Sequence, residues 1–257
     1  MKDEGYIMKA KVLNSGELMD RIIRALDEKT PLSVISVGST ESCVMAQYKV
    51  LSEKRFMRHR EAVATNSEDR RGFTFPNVRL RDQMVTAVKR ADIVGYNIAL
   101  RHTYAGDMVK EVFHAYGIQP RFVFDALIRR IIPLNQKVKF KRMLRNRTIV
   151  LIGSNANEVK EALELRWSKR FPFEIAACIN MRSYDEMKEV KRRLGRIEFD
   201  LALLTAGVNA VILASYIATK YGKVAFDLGQ GMNTLITKQV VETGFVRRVG
   251  LKKLMNM

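Results

Sequence analysis

Short apolar, β-branched segments alternate with amphipathic segments along almost the whole chain. The apolar segments include residues 33–37, 148–152 and 199–205, and turn-forming residues bound each of them. Short β-branched runs are typical of buried strands, whereas apolar residues that recur every three or four positions indicate helices. Alternating strands and helices form a mostly parallel sheet with helices on both faces. The sequence therefore predicts a single α/β domain of this kind.

An amphipathic segment precedes this pattern. Residues 17–28 place Leu18 and Ile22 on one helical face, so we expect residues 1–30 to form a lead-in helix that packs against the sheet. The α/β domain then occupies residues 31–257. The chain has 257 residues, of which 47% are hydrophobic, so it is long enough to bury a core of this size.

The first strand leads into the clearest strand–turn–helix unit. This strand, residues 33–37, ends in Gly38. Ser39 and Thr40 are candidate N-caps for a helix that we expect to open at Glu41. The N–H groups and the dipole of a helix N-terminus attract phosphate, and a carboxylate there would hold a metal ion against it. An ordinary βα turn with a capping serine is the alternative interpretation.

Three further predicted strands also end in glycine. Gly153, Gly207 and Gly229 follow their strands as Gly38 follows the first one. In open α/β sheets the ligand crevice lies outside the carboxyl ends of the strands. We therefore expect these four turns to form the rim of one site, together with Ser154.

Carboxylates at predicted strand ends favour a metal–diphosphate site. They are Glu41, Asp125 and Asp227. Hard oxygen ligands beside phosphate-binding turns suit Mg²⁺ or Mn²⁺ that a substrate diphosphate partly holds. A helix N-cap is the favoured alternative for Asp125, whereas Asp227 fits either role. The sequence contains no dinucleotide fingerprint, Walker A sequence or nucleophile elbow.

The chain carries a formal net charge of +18. Residues 129–147, which we call the basic segment, contain eight basic residues and no acidic one. They indicate either a solvated helix and linker, or a contact for an anionic membrane surface or polyanionic acceptor. Nucleic acid is disfavoured because aromatic residues are not interleaved with the basic runs. The residues after Gly229 are interpreted as a polar, basic tail.

Cysteine usage and hydropathy favour a cytoplasmic protein. Cys43 and Cys178 lie in apolar segments, which does not indicate a disulfide framework. The N-terminal residues lack the apolar core of a signal peptide, and no apolar run is long enough to span a bilayer. We expect membrane contact, if present, to be peripheral and at the inner face.

The order of these segments resembles the GT-D fold glycosyltransferases, a bacterial family of Rossmann-like transferases. That family carries an Asp-x-Glu motif after its first strand, usually within Arg-x-Gly-Asp-x-Glu. The motif binds a divalent metal and the diphosphate of a nucleotide sugar. Here Gly38 and Glu41 match the motif, whereas Ser36 and Ser39 stand where the family has arginine and aspartate.

Three later segments resemble further parts of the family's fold. Residues 147–153 resemble its middle strand, and residues 203–217 resemble its strand–glycine–helix unit. Residues 223–229 resemble its last strand, which ends in Asp-x-Gly, although the histidine that often follows is Gln230 here. The resemblance covers residues 33–235.

The resemblance implies transfer of a sugar from a nucleoside diphosphate donor, of the UDP type, to an acceptor hydroxyl. It implies that Gly38, Ser39 and Thr40 contact the diphosphate. It also implies that Glu41 orients Mn²⁺ or Mg²⁺, and that Asp227 is the general base or a second carboxylate on the metal side. The other residues that we expect to bind the nucleotide sugar are Gly153, Ser154, Gly207 and Gly229.

The serine in the motif leaves an alternative open. Ser39 offers a metal ion a hydroxyl group, which is a weaker ligand than a carboxylate. A catalytically impaired protein of the same fold, which binds a nucleotide sugar or an anionic surface, is therefore the alternative.

The basic segment predicts salt-dependent binding to anionic surfaces. Binding driven by counterion release weakens steeply as the salt concentration rises. Co-sedimentation with anionic vesicles should show binding at about 50 mM salt and much weaker binding at about 200 mM. Vesicles of neutral lipid are the control. No binding at low salt, or binding that salt does not change, would contradict this prediction.

Overall fold

The computed structural model describes residues 10–67, 72–100 and 104–257, and the side chains of all of these except residues 104–106. Within these residues, eight strands form one sheet in the order β1-β4-β3-β2-β8-β7-β5-β6. Every neighbouring pair is parallel. The strands are β1 (Lys11–Leu13), β2 (Leu32–Val37), β3 (Ile93–Tyr96), β4 (Phe122–Asp125), β5 (Thr148–Gly153), β6 (Glu174–Ile179), β7 (Leu201–Thr205) and β8 (Val224–Asp227).

Helices connect these strands and cover both faces of the sheet. They are α1 (Ser15–Asp27), α2 (Ser39–Ala46), α3 (Glu53–Met57), α4 (Arg60–Ser67), α5 (Val78–Arg90), α6 (Tyr104–Tyr116), α7 (Ile132–Asn135), α8 (Lys137–Leu144), α9 (Ala156–Trp167), α10 (Met187–Leu194), α11 (Val208–Tyr221), α12 (Gly231–Thr237), α13 (Gly244–Val249) and α14 (Leu251–Met255). Short 3₁₀ helices occupy Ala126–Arg130 and Tyr184–Glu186. Of the helices described, none is both long enough and apolar enough to cross a bilayer.

Two apolar cores lie on opposite faces of the sheet. Successive side chains of a strand point to opposite faces, and a strand that is covered on both faces is apolar throughout. In β5, Val150 and Ile152 pack in the core that includes α2, α5 and α11. Ile149 and Leu151 pack in the core that includes α1, α8 and α9. The predicted parallel α/β fold with helices on both faces is therefore confirmed.

The four predicted glycine turns follow four neighbouring strands. Gly38 follows β2, Gly229 lies two residues beyond β8, Gly207 lies two residues beyond β7, and Gly153 ends β5. Because β2, β8, β7 and β5 are adjacent and parallel, these turns lie along one edge of the sheet, as the sequence predicted. From β5 the chain continues to β6 at the edge of the sheet, whereas from β7 it continues to β8, towards the centre of the sheet. This reversal of strand order marks the crevice where α/β sheets bind ligands.

The two ends of the described chain differ from the prediction. Before α1, residues 11–13 form the edge strand β1, which is too short for alternation to reveal it. The residues after β8 are not a polar tail, because they form α12, α13 and α14. Met232 and Leu254 are fully buried there, and the Met257 carbonyl accepts a hydrogen bond from the Ser15 N–H at 2.7 Å. These helices contain only five to seven residues, so few apolar positions signal them.

The basic segment runs through the first 3₁₀ helix, α7 and α8, and several of its charges are paired. Lys139 Nζ lies 2.7 Å from Asp20 Oδ2, and Arg142 Nη2 lies 3.1 Å from Asp27 Oδ2. Arg147 also pairs with Asp27. Exposed pairs of this kind contribute little to stability. They join α8 and Arg147, which precedes β5, to α1, and they lower the positive charge that the segment presents to solvent.

The close approach of β3 and β4 predicts that Gly95 cannot be replaced without strain. A Cβ atom built on Gly95 would lie 2.4 Å from Cζ of the fully buried Phe124. Gly95→Ala should lower the free energy of unfolding by about 1–3 kcal/mol, as overpacked cores do. Urea denaturation followed by circular dichroism measures this change.

Gly195→Ala is the matched control for this substitution. The atom nearest to a Cβ on Gly195 is Tyr221 Oη at 3.5 Å, which is ordinary contact. We expect this variant to change the free energy of unfolding by less than about 0.5 kcal/mol. In the double variant Gly95→Ala/Phe124→Leu, a smaller side chain replaces the ring, so part of the lost free energy of unfolding should be recovered. A Gly95→Ala protein as stable as the wild type would contradict the prediction.

Candidate functional site

A cleft of about 630 Å³ lies at the carboxyl edge of the sheet, where β2, β8, β7 and β5 end. Its walls come from the turns after these strands, from the start of α12 and from the segment after β6. Six of the nine predicted site residues line it: Thr40, Glu41, Ser154, Gly207, Asp227 and Gly229. The structure thus brings together residues that lie far apart in the sequence, and their roles stay predictions.

Three predicted site residues, Gly38, Ser39 and Gly153, are not part of the lining. At Gly153, where φ is +150°, a Cβ atom would lie 2.3 Å from Cγ2 of Thr205. The glycine is therefore required where β5 and β7 pack side by side at the crevice.

Gly38, and not Ser39 or Thr40, is the N-cap of α2, so the helix begins two residues earlier than predicted. Glu41 Oε2 accepts a hydrogen bond from the Gly38 N–H at 2.9 Å, which is the side-chain half of a capping box. Thr40 Oγ1 donates to Glu61 Oε1 at 2.6 Å. Both side chains therefore stabilise the turn while they line the cleft.

Asp227 is a buried acid of the cleft, and it forms an ion pair with Arg129. Arg129 Nη1 lies 2.6 Å from Asp227 Oδ2, and it donates to the backbone carbonyl of Asp227 at 3.0 Å. Arg129 Nε donates to the Ala126 carbonyl at 3.3 Å, within its own 3₁₀ helix. This contact joins the segment after β4 to the end of β8, although β3 and β2 separate those strands in the sheet.

Burial raises the pKa of Asp227 to about 6. The Arg129 guanidinium and a hydrogen bond from the backbone of Ser36 oppose this change, whereas the negative charge of Glu41 adds to it. A carboxyl group with such a pKa is ionised at neutral pH and still takes up a proton readily. Those are the properties of a general base.

Asp125 has the structural role that the sequence favoured. Its carboxylate accepts hydrogen bonds from the N–H groups of Leu127 at 2.8 Å and Ala99 at 2.6 Å. It is the N-cap of the 3₁₀ helix that carries Arg129. Burial raises the pKa of Asp125, and the two N–H donors oppose that rise.

The donor set of the cleft does not fit a preformed divalent metal site. Among the residues that the structure describes, no three His, Cys, Asp or Glu side chains are grouped to bind a metal ion. The acids of the cleft are Glu41 and Asp227, which accept from Gly38 and pair with Arg129, respectively. Mg²⁺ requires near-octahedral oxygen coordination, which two engaged carboxylates do not supply. Metal binding by Glu41 stays a prediction.

Sequence reasoning missed several polar residues of the cleft: Arg129, Asn155, Arg182, Gln230 and Asn233. Asn155 Nδ2 donates to Asn233 Oδ1 at 2.7 Å, and Asn233 Nδ2 donates to Gln230 Oε1 at 2.7 Å. The buried Oδ1 of Asn155 has no hydrogen-bond partner in the described part of the chain. The position of Asn155 next to Ser154 was the available signal. Gln230 and Asn233 fell in the segment interpreted as a tail.

A family model described as a GT-D fold-like domain matches residues 13–235. The chain belongs to this GT-D-like family. A search of curated proteins finds none that matches.

Two solved structures of the domain of unknown function 1792 are similar to this GT-D-like protein, and the first is described as having a distinct glycosyltransferase fold. The first has a TM-score of 0.55 at 16% identity, and the match covers 87% of this chain and 79% of that one. The second, a selenomethionine-substituted structure, has a TM-score of 0.53 at 15% identity, with the same coverage of both chains. At this identity the likeness concerns the fold, which is that of a glycosyltransferase.

The raised pKa of Asp227 predicts how the stability of this GT-D-like protein depends on pH. The folded-state pKa of about 6 lies above the unfolded value of 3.8. The carboxyl group therefore stabilises the fold most below pH 4, and this contribution is lost as the pH rises through 6. The loss is about 3 kcal/mol in total.

Urea denaturation of the wild type and Asp227→Asn between about pH 4 and pH 7.5 measures this contribution, because the difference between the two proteins isolates the group. We expect the wild type to lose stability relative to Asp227→Asn as the pH rises. A relative gain would mean that the Arg129 pair outweighs burial and lowers the pKa.

Proposed function

We propose that this protein transfers a sugar from a nucleoside diphosphate sugar to an acceptor hydroxyl. The observation that carries the proposal is the cleft of about 630 Å³ at the carboxyl edge, in which a buried acid faces a fixed guanidinium in a glycosyltransferase fold. Its volume suits a small-molecule ligand, and its place at the reversal of strand order is where such sheets bind nucleotides.

The turn at Gly207 is the proposed position of the diphosphate. Gly207 has a φ of +53° and opens the 14-residue helix α11, whose N-terminus is the positive end of its dipole. Apart from its chain neighbours, no atom of the residues that the structure describes lies within 4 Å of a Cβ built on Gly207, so the turn borders open space. Ser154 and Gly229 line the cleft beside it. A UDP sugar is the first donor to test.

Asp227 is the proposed general base. As the acceptor oxygen bonds to the anomeric carbon, the bond from that carbon to the diphosphate oxygen breaks, and its electron pair leaves with the nucleoside diphosphate. The hydroxyl proton passes to the Asp227 carboxylate. Arg129, 2.6 Å from Oδ2, holds that carboxylate in place.

The basic segment supports a polyanionic acceptor or an anionic membrane surface as a second partner. Lys137 and Arg145 are exposed, and neither forms an ion pair with the residues that the structure describes. An acceptor carrying phosphate or carboxylate groups would be attracted to them.

A nucleotide-sugar-binding protein without transfer activity is the second candidate function. Ser39 in place of an acid, and the engagement of Glu41 by the Gly38 N–H, favour it. A binding assay combined with a transfer assay distinguishes the two functions.

The proposed base predicts the behaviour of Asp227→Asn. With a nucleotide sugar that the wild type uses, we expect kcat to fall by about 10²–10⁴-fold, because the amide cannot accept the proton. Wild-type kcat should rise as the pH increases through about 6 and then level off, and the variant should lack this rise.

Asp20→Asn, which removes an exposed acid of α1 outside the cleft, is the matched control and should keep wild-type kinetics. If Asp227→Asn kept the kcat of the wild type, Asp227 would not be the base. Absence of binding across a panel of nucleoside diphosphate sugars would contradict the proposed function itself.

A further inference from the structure

We propose that Arg129 supplies the positive charge that a divalent metal ion would otherwise supply in this cleft, so that the protein binds a nucleoside diphosphate without a metal. This inference rests on the proposed function, because it concerns how the same cleft holds the diphosphate.

The Arg129 guanidinium is fixed on one side and available on the other. Nη1 and Nε are used by Asp227 and by the Ala126 carbonyl. Nη2 makes no hydrogen bond to any residue that the structure describes, and the side chain, 19% exposed, lines the cleft. A guanidinium held in this way presents a planar set of donors that suits phosphate oxygens.

The turn after β8 is shaped around this guanidinium. A Cβ atom on Gly229 would lie 2.8 Å from Arg129 Nη1 and 3.1 Å from Cζ. A side chain at this position would push the guanidinium away from Asp227. The Asp-x-Gly end of β8 therefore packs directly against an arginine.

The arginine also occupies Asp227, one of the two acids that a metal ion in this cleft would need. Glu41 and Asp227 line the same cleft, and the negative charge of Glu41 raises the pKa of Asp227. A divalent ion would bridge such a pair, but the guanidinium already neutralises Asp227. With Arg182, the lining contains two arginines and two acids, so its formal charge is balanced before any metal binds.

The first test is calorimetric titration of the wild type with UDP, once with EDTA and once with Mn²⁺. We expect the two affinities to differ by less than about threefold, whereas linked metal binding would give a difference of about 5- to 150-fold. Arg129→Gln should weaken UDP binding by about 10- to 100-fold. Arg129→Lys keeps the positive charge but not the planar set of N–H donors, so this variant should lose less UDP affinity than Arg129→Gln.

The second test uses Mn²⁺ alone, followed by the electron paramagnetic resonance signal of the free ion. Removal of the guanidinium leaves Asp227 and Glu41 together, so Arg129→Gln should bind Mn²⁺ at least about tenfold more tightly than the wild type. Glu41→Gln in the same background should abolish that gain. No nucleotide takes part, so this test does not depend on the donor.

The outcomes separate the inference from the proposed function. UDP binding that requires Mn²⁺ would overturn the inference and leave the function standing, whereas no UDP binding in either condition would overturn both. No gain of Mn²⁺ affinity in folded Arg129→Gln would also overturn the inference. If that variant does not fold, Arg129→Gln/Asp227→Asn replaces it, because it leaves no unpaired buried charge. Wild-type UDP affinity in the double variant would overturn the inference.

Discussion

A sheet whose strands all run parallel places all of its carboxyl ends at one edge, and the rest of this structure depends on that constraint. Each connection must cross a face of the sheet, so helices cover both faces and the central strands are apolar on both sides. The turns after β2, β8, β7 and β5 therefore meet, although about 190 residues separate Gly38 after β2 from Gly229 after β8. The cleft forms where the direction of the connections reverses between β5 and β7.

Elements with strong local signals could be predicted from the sequence. Helix α11, Val208–Tyr221, begins directly after Gly207, the glycine that the sequence predicted to follow a strand, and it ends at Gly222 in the left-handed conformation. The strands β2, β5, β7 and β8 lie within two residues of their predicted positions, since their apolar runs end at turn residues. The glycine turns could then be assigned to one edge from the parallel topology alone.

The features that escaped prediction depend on contacts between distant parts of the chain. The Arg129–Asp227 pair joins residues 98 positions apart, and no periodicity reveals it. The start of α2 depends on Glu41 reaching back to the Gly38 N–H, whereas the serine and threonine beside it fit the usual N-cap pattern. The helices of residues 231–255 are held by burial against the core of α1 and are too short to show a pattern of their own.

Fold and site chemistry are separable in this molecule. The fold rests on many apolar positions and survives at 16% identity to a solved structure. The chemistry rests on a few polar groups. Ser39 stands where the family motif has an aspartate, and the positive charge beside Asp227 comes from Arg129, in another part of the chain.

The contact between Gly153 and Thr205 has a consequence for how this cleft could diverge. Because a side chain at Gly153 would collide with Thr205, which lines the cleft, the packing of β5 against β7 requires a glycine at this position. Other lining residues, such as Gln230 and Asn233 at the start of α12 and Arg182 after β6, are polar side chains. Ligand preference could therefore be altered by substituting these polar side chains while the packing of β5 against β7 stays constant.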